Sequence, residues 1–172
     1  LANPDPIREA LARAAQPPDP AQTLAAAPER LTPRLDELER FLARGGPDTS
    51  RGWSERLDLP GLRAALERDK PDSATVRDIE QRFYRNDPGL EMSRFLAVRV
   101  SLGTYLAALE YSAAASPAEL YRERLAQFED CLARLESSPT DADARQAGAL
   151  LHWIAKLSPA GRRLAHAVRA RY

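Results

Sequence analysis

The prolines of this chain stand where helices begin. Asp19-Pro20, Thr32-Pro33, Ser116-Pro117 and Ser158-Pro159 each place proline directly after a residue able to cap a helix. In the first helical turn the missing N–H of proline is no loss, and its φ is already near the helical value. The residue before it accepts a hydrogen bond from one of the free amides. Long proline-free stretches with apolar residues at helical spacing separate these points. The expected class is all-α: an antiparallel bundle or short irregular array of about seven or eight helices.

Residues 1–30 are loosely committed. Asn3-Pro4 opens a short helix through Ile7 and Leu11, and Gln16-Pro17-Pro18-Asp19 breaks it. Asp19-Pro20-Ala21-Gln22 reads as a capping box, for a helix expected to stop near Pro28. Residues 31–172 read as the helical domain proper. Thr32-Pro33 opens a helix whose Leu35, Leu38, Phe41 and Leu42 share a face, with Gly45-Gly46 as its stop. Residues 47–69 read as two short helices broken near Leu59-Pro60. Asp72-Ser73 caps a helix with Val76, Ile79 and Phe83 inward, and Asp87-Pro88-Gly89 suits a turn beyond it.

The second half is more regular. Residues 91–114 are the most apolar segment and read as the central helix. Ser116-Pro117-Ala118-Glu119 is a complete capping box, opening a helix with Tyr121, Leu125, Phe128, Leu132 and Leu135 on one stripe. Cys131 lies on the same side and is expected to be a buried small hydrophobe. Thr140 and Ser158 cap the last two helices. No internal repeat is visible.

Charge excludes some classes. Lys and Arg number 25 and Asp and Glu 25, without the basic excess of a nucleic-acid-binding chain. Lys70 and Lys156 are the only lysines, a bias that GC-rich coding explains. The single Cys131 cannot form an intramolecular disulfide. No apolar run approaches the roughly 18 residues of a membrane span. The chain opens on Leu1 rather than Met, as a processed or trimmed chain does.

Catalytic constellations are absent from the pattern. The two histidines, His152 and His166, form no Glu-x-x-His unit and read as helix-surface or rim residues. There is no nucleophile elbow, Walker loop or dinucleotide glycine pattern. The expectation is a chain without cofactor or metal, and without an enzyme's site. Two features remain as candidate sites. After Ser158 come Arg162, Arg163, Arg169 and Arg171 with no acidic residue. Such a helix contacts an anion or acidic partner, or simply complements the negative end of its own dipole. Tyr105, Tyr121 and Trp153 are candidates for a pocket beside the central helix.

The run Leu35-Asp36-Glu37-Leu38-Glu39-Arg40-Phe41-Leu42, then Trp53, Leu62, Ile79-Glu80-Gln81-Arg82-Phe83-Tyr84 and Pro88-Gly89-Leu90-Glu91, resembles the N-terminal helical region of large uncharacterised bacterial proteins of exported type. In those proteins a β-rich region follows. The resemblance implies one part of a longer protein in the cell envelope, and it carries no functional residue. The leading functional expectation is a non-enzymatic interaction or scaffolding module, whose partners are another protein or the remaining domains of its own chain. The alternative is a helical sensor or ligand-binding domain.

Overall fold

The structure is a computed structural model that describes residues 5–44, 52–53, 55–68, 72–86 and 93–172. Of these residues 87% are helical and none lies in a strand. The protein is therefore an all-α helical array. The helices with described bounds are α1 (Pro6–Ala14), α2 (Pro20–Arg44), α3 (Leu59–Leu66), α4 (Ser73–Arg85), α5 (Ser93–Ala113), α6 (Pro117–Ser137), α7 (Asp141–Leu157) and α8 (Pro159–Arg171).

Helix starts largely follow the caps. Asp5, Asp72, Thr140 and Ser158 each accept a bond from an amide of the first turn, and Asp19 accepts from the Ala21 amide at 3.2 Å. Three expectations need correction. First, α1 opens at Asp5-Pro6, whereas Asn3-Pro4 lies outside the described residues. Second, Ser116 precedes α6 but makes no side-chain cap bond; its φ of −137° and ψ of 86° lie away from the extended backbone that Asp5, Thr140 and Ser158 adopt. Third, Pro28 does not stop a helix and Thr32-Pro33 does not start one. Both prolines lie inside α2, which also runs through the expected division at residue 30.

The physical reason is burial. Ala27, Leu31, Leu35, Leu38 and Leu42 form one buried stripe on α2, crossing both prolines. Interior proline costs about 3 kcal/mol, and each buried leucine returns about 1.5–3 kcal/mol. Four leucines therefore outweigh two prolines. Pro33 is exposed and Pro28 half-buried, so neither ring displaces the core stripe. The Thr32 hydroxyl also donates to the Pro28 carbonyl at 2.9 Å.

The chain forms two compact units, Leu1–Thr23 with Tyr111–Tyr172, and Leu24–Glu110. Both divisions fall within helices, α2 and α5.

The second unit is built on the α2 stripe, with Leu57, Leu59 and Leu62, then Val76, Ile79 and Phe83 from α4, and Phe95, Val98 and Leu102 from α5. The Phe83 and Phe95 rings lie 4.9 Å apart. The expected break near Leu59-Pro60 occurs at Asp58, which adopts φ 54° and caps α3 through Gly61. A Cβ on Gly61 would come within 2.2 Å of the Asp58 carboxylate. Glycine is what lets that capping carboxylate close over the amide.

In the first unit α6 packs on α7, α7 on α8, and α1 on α8. Phe128, Cys131 and Leu132 of α6 are buried, as the apolar stripe predicts. A Cβ on Gly161 would stand 2.3 Å from the Ile154 carbonyl oxygen, so glycine sets how closely α8 approaches α7. Helix α1 has 9 residues, too few to persist alone. It buries Ile7, Ala10 and Ala14, and the buried Tyr121 hydroxyl donates to the Ala14 carbonyl.

Candidate functional site

Ser158 both ends α7 and caps α8; its extended backbone turns the chain and its hydroxyl accepts from the Gly161 amide at 3.0 Å. The buried side of α8 carries Gly161, Leu164 and Ala165. At 100° per residue, residues 162, 163, 166 and 170 then fall on the opposite side.

Helix α1 runs antiparallel to α8. Asp5, at its start, pairs with Arg171 at the end of α8 at 3.6 Å. At the other end Ala14 is held by Tyr121, whose hydroxyl lies near Ser158 at the start of α8. Between the two helices lies an open groove of about 660 Å³. Pro6 and Ile7 of α1 and Ala167 and Ala170 of α8 make its apolar wall. Arg162, Arg163, His166 and Arg171 supply its polar edge, and no carboxylate is among the described residues lining it.

Three of the four arginines marked by the charge asymmetry therefore share one groove. Arg169 does not line it. It lies close enough to His152 that, after partial burial and the charge of Lys156, it helps hold that imidazole below its ordinary range. Arg171 also reaches Glu136 at 3.8 Å. Arg171, Asp5 and Glu136 are each at least a third exposed, so these long ion pairs contribute little to stability. The sequence reading missed the apolar wall from α1. Nothing local in Pro6 or Ile7 marks them as neighbours of residues 162–171.

The proposed aromatic pocket distributes differently. Tyr121 and Trp153 come together in the first unit, with ring centroids 6.3 Å apart, and Tyr111 joins them at 6.3 and 6.0 Å. Tyr105 belongs to the other unit, where it is buried. The Tyr111 hydroxyl donates to the Pro18 carbonyl at 2.8 Å, so both clustered tyrosine hydroxyls are committed to the chain itself. Burial pushes Tyr105 and Tyr111 upward and Tyr121 up to about 12. The Arg124 guanidinium lies 4.2 Å from the Trp153 ring centroid. Trp153 Nε1 is buried with no acceptor.

Among the described residues no group of His, Cys, Asp and Glu is placed to hold a metal ion, and no helix is long and apolar enough to cross a membrane. Comparison with known proteins finds no matching family model, curated protein or solved structure.

Proposed function

We propose that this chain is a non-enzymatic helical interaction module and that the groove between α1 and α8 is its docking surface. One observation carries the reading: an apolar wall and a cationic edge share a single exposed concavity in the first unit. An apolar surface rimmed by polar groups is the anatomy of a protein-binding patch. A small anion would use the guanidiniums and leave the apolar wall idle. Placement within a longer bacterial envelope protein rests on the sequence resemblance and completes the proposal.

A photo-crosslinking amino acid at Arg163, in cells that make the protein naturally, tests the reading. The expected result is one discrete protein adduct whose purified partner binds the 172-residue chain in calorimetry. The same probe at Gln127, exposed on α6 and outside the groove, should give no such adduct. Absence of any protein adduct at Arg163 removes the reading.

The alternative, a sensor or ligand-binding domain, draws on the buried and unpaired Trp153 Nε1. It requires that a bound small molecule quench or shift Trp153 fluorescence in a Trp53→Phe background. Unchanged emission across a metabolite panel counts against it.

A further inference from the structure

Building on the interaction reading, we infer that the groove between α1 and α8 receives an acidic amphipathic helix. Its apolar side chains lie on Pro6, Ala167 and Ala170, which stay accessible while Ile7 beneath them is buried, and its carboxylates face Arg163, His166 and Arg171.

Charge selects the sign of the partner. Every ionisable residue among the described lining residues is basic. Carboxylates of the chain's own, Asp5 and Glu136, already reach this edge at Arg171, at 3.6 and 3.8 Å. Those distances are long for a charge-assisted hydrogen bond, which is made near 2.7–2.9 Å. A partner carboxylate thus competes against weak, exposed pairs. Arg163 is exposed and unengaged among the described residues, so it meets a partner without first giving up a bond.

Shape selects the conformation. Two antiparallel helices flank the concavity, and a third helix packs into such a groove by ordinary ridge-and-groove geometry. Recognition by strand addition would need an open sheet edge, and no strand exists among the described residues. Ala167 and Ala170 are short, so an incoming helix comes near the α8 backbone. A membrane is the weaker candidate because the principal apolar residues of α8, Leu164 and Ala165, are buried within the unit and cannot insert into lipid.

The test uses the whole chain and a fluorescein-labelled helical peptide of about 16 residues, long enough to hold a helix. Leucine occupies one stripe of the peptide and glutamate flanks it. A second peptide carries lysine in place of glutamate, and vesicles of phosphatidylglycerol with phosphatidylcholine form the third arm. The glutamate peptide should bind by anisotropy and shift the Ile7 and Ala167 amides in NMR spectra. The double variant Arg163→Glu/His166→Glu should weaken it by about tenfold or more and should now prefer the lysine peptide. Both substituted residues are exposed, and an unchanged thermal melt shows that the fold is intact. Equal binding of the two peptides, amide shifts elsewhere, or vesicle binding without peptide binding each overturns the inference. If crosslinking at Arg163 captures a partner while the glutamate peptide fails, the interaction reading stands and the acidic helix falls. If neither occurs, both fall.

Discussion

The two units hold their helices together by different means. The second surrounds an aliphatic and phenylalanine core with arginine–carboxylate pairs at its surface. Arg63 reaches both Asp36 and Glu39, Arg82 pairs with Asp58 at 3.0 Å and Asp78 at 2.9 Å, and Arg77 with Glu110 at 2.7 Å. The first unit ties distant segments with buried or half-buried hydroxyls: Tyr121 to Ala14, Tyr111 to Pro18, and Thr23 to the Leu157 carbonyl at 3.3 Å. Half-exposed ion pairs are screened by salt and individually weak. A buried donor–acceptor pair is insensitive to salt and costly to leave half-made. The difference teaches that one chain can rim an apolar core with salt-sensitive ion pairs in one unit and tie distant segments with desolvated hydroxyls in another, and the two sets of contacts respond to different perturbations.

The largest expected effect is at Cys131, which is fully buried in the first unit. Cys131→Arg should lower stability by several kcal/mol or abolish folding, because it buries a charge without an assigned partner. Cys131→Ala should cost on the order of 1 kcal/mol. Urea titration of both variants measures the gap; near-equal midpoints would turn the α6 stripe outward and redraw the unit.

The glycines sharpen the contrast further. Gly161→Ala places a methyl against the Ile154 backbone carbonyl, and the helices must separate. About 2–3 kcal/mol is expected from overpacking. Gly61→Ala meets only the Asp58 side chain, which can swing aside at the loss of a cap, about 1 kcal/mol. A larger loss from Gly61→Ala than from Gly161→Ala would reverse this reading.

Next is Tyr121→Phe, which leaves the Ala14 carbonyl without its tyrosine donor. The expected cost is about 1–2 kcal/mol, with faster amide exchange confined to α1. The same hydroxyl gives the first unit an alkaline limit. Its neutral form is favoured by burial, with the pKa moved from 10.0 to about 12. A raised value contributes fully below pH 10 and is lost as pH climbs towards 12. Alkaline melts followed at Trp153, with Trp53 replaced, should therefore fall across that window in the parent and less in Tyr121→Phe.

The smallest effect belongs to the second unit. Arg63→Met removes two ion pairs whose groups are each at least a third exposed, so about 0.5–1 kcal/mol is expected at low salt. It should shrink in molar salt. A salt-independent loss would mean that Arg63 acts through the packing of its aliphatic stem instead.

How far the fold was legible shows at single residues. Asp72, Thr140 and Ser158 were readable because a cap is a contact between neighbours in sequence, and so was the burial of Cys131 on its stripe. Thr32-Pro33 misled for the same reason: its local signal is that of a helix start, and the leucines that override it act through a core assembled from four helices. At the groove, the arginines of residues 162–171 were visible as an unbalanced run of charge. Helical phase alone does not sort them: Arg162 and Arg169, seven residues apart, share a side of α8, yet Arg162 lines the groove and Arg169 instead acts on His152.

By itself the sequence determined the all-helical class, the capped starts and the cationic character of the last helix, because each depends on interactions within a few residues. Only the tertiary structure decided that α2 runs through two prolines, that Tyr121 seals α1, and that Ile7 walls the groove of α8. Those outcomes depend on surfaces buried between residues distant in the chain, more than a hundred positions for Tyr121 with Ala14 and for Ile7 with α8, and no local propensity encodes such a contact.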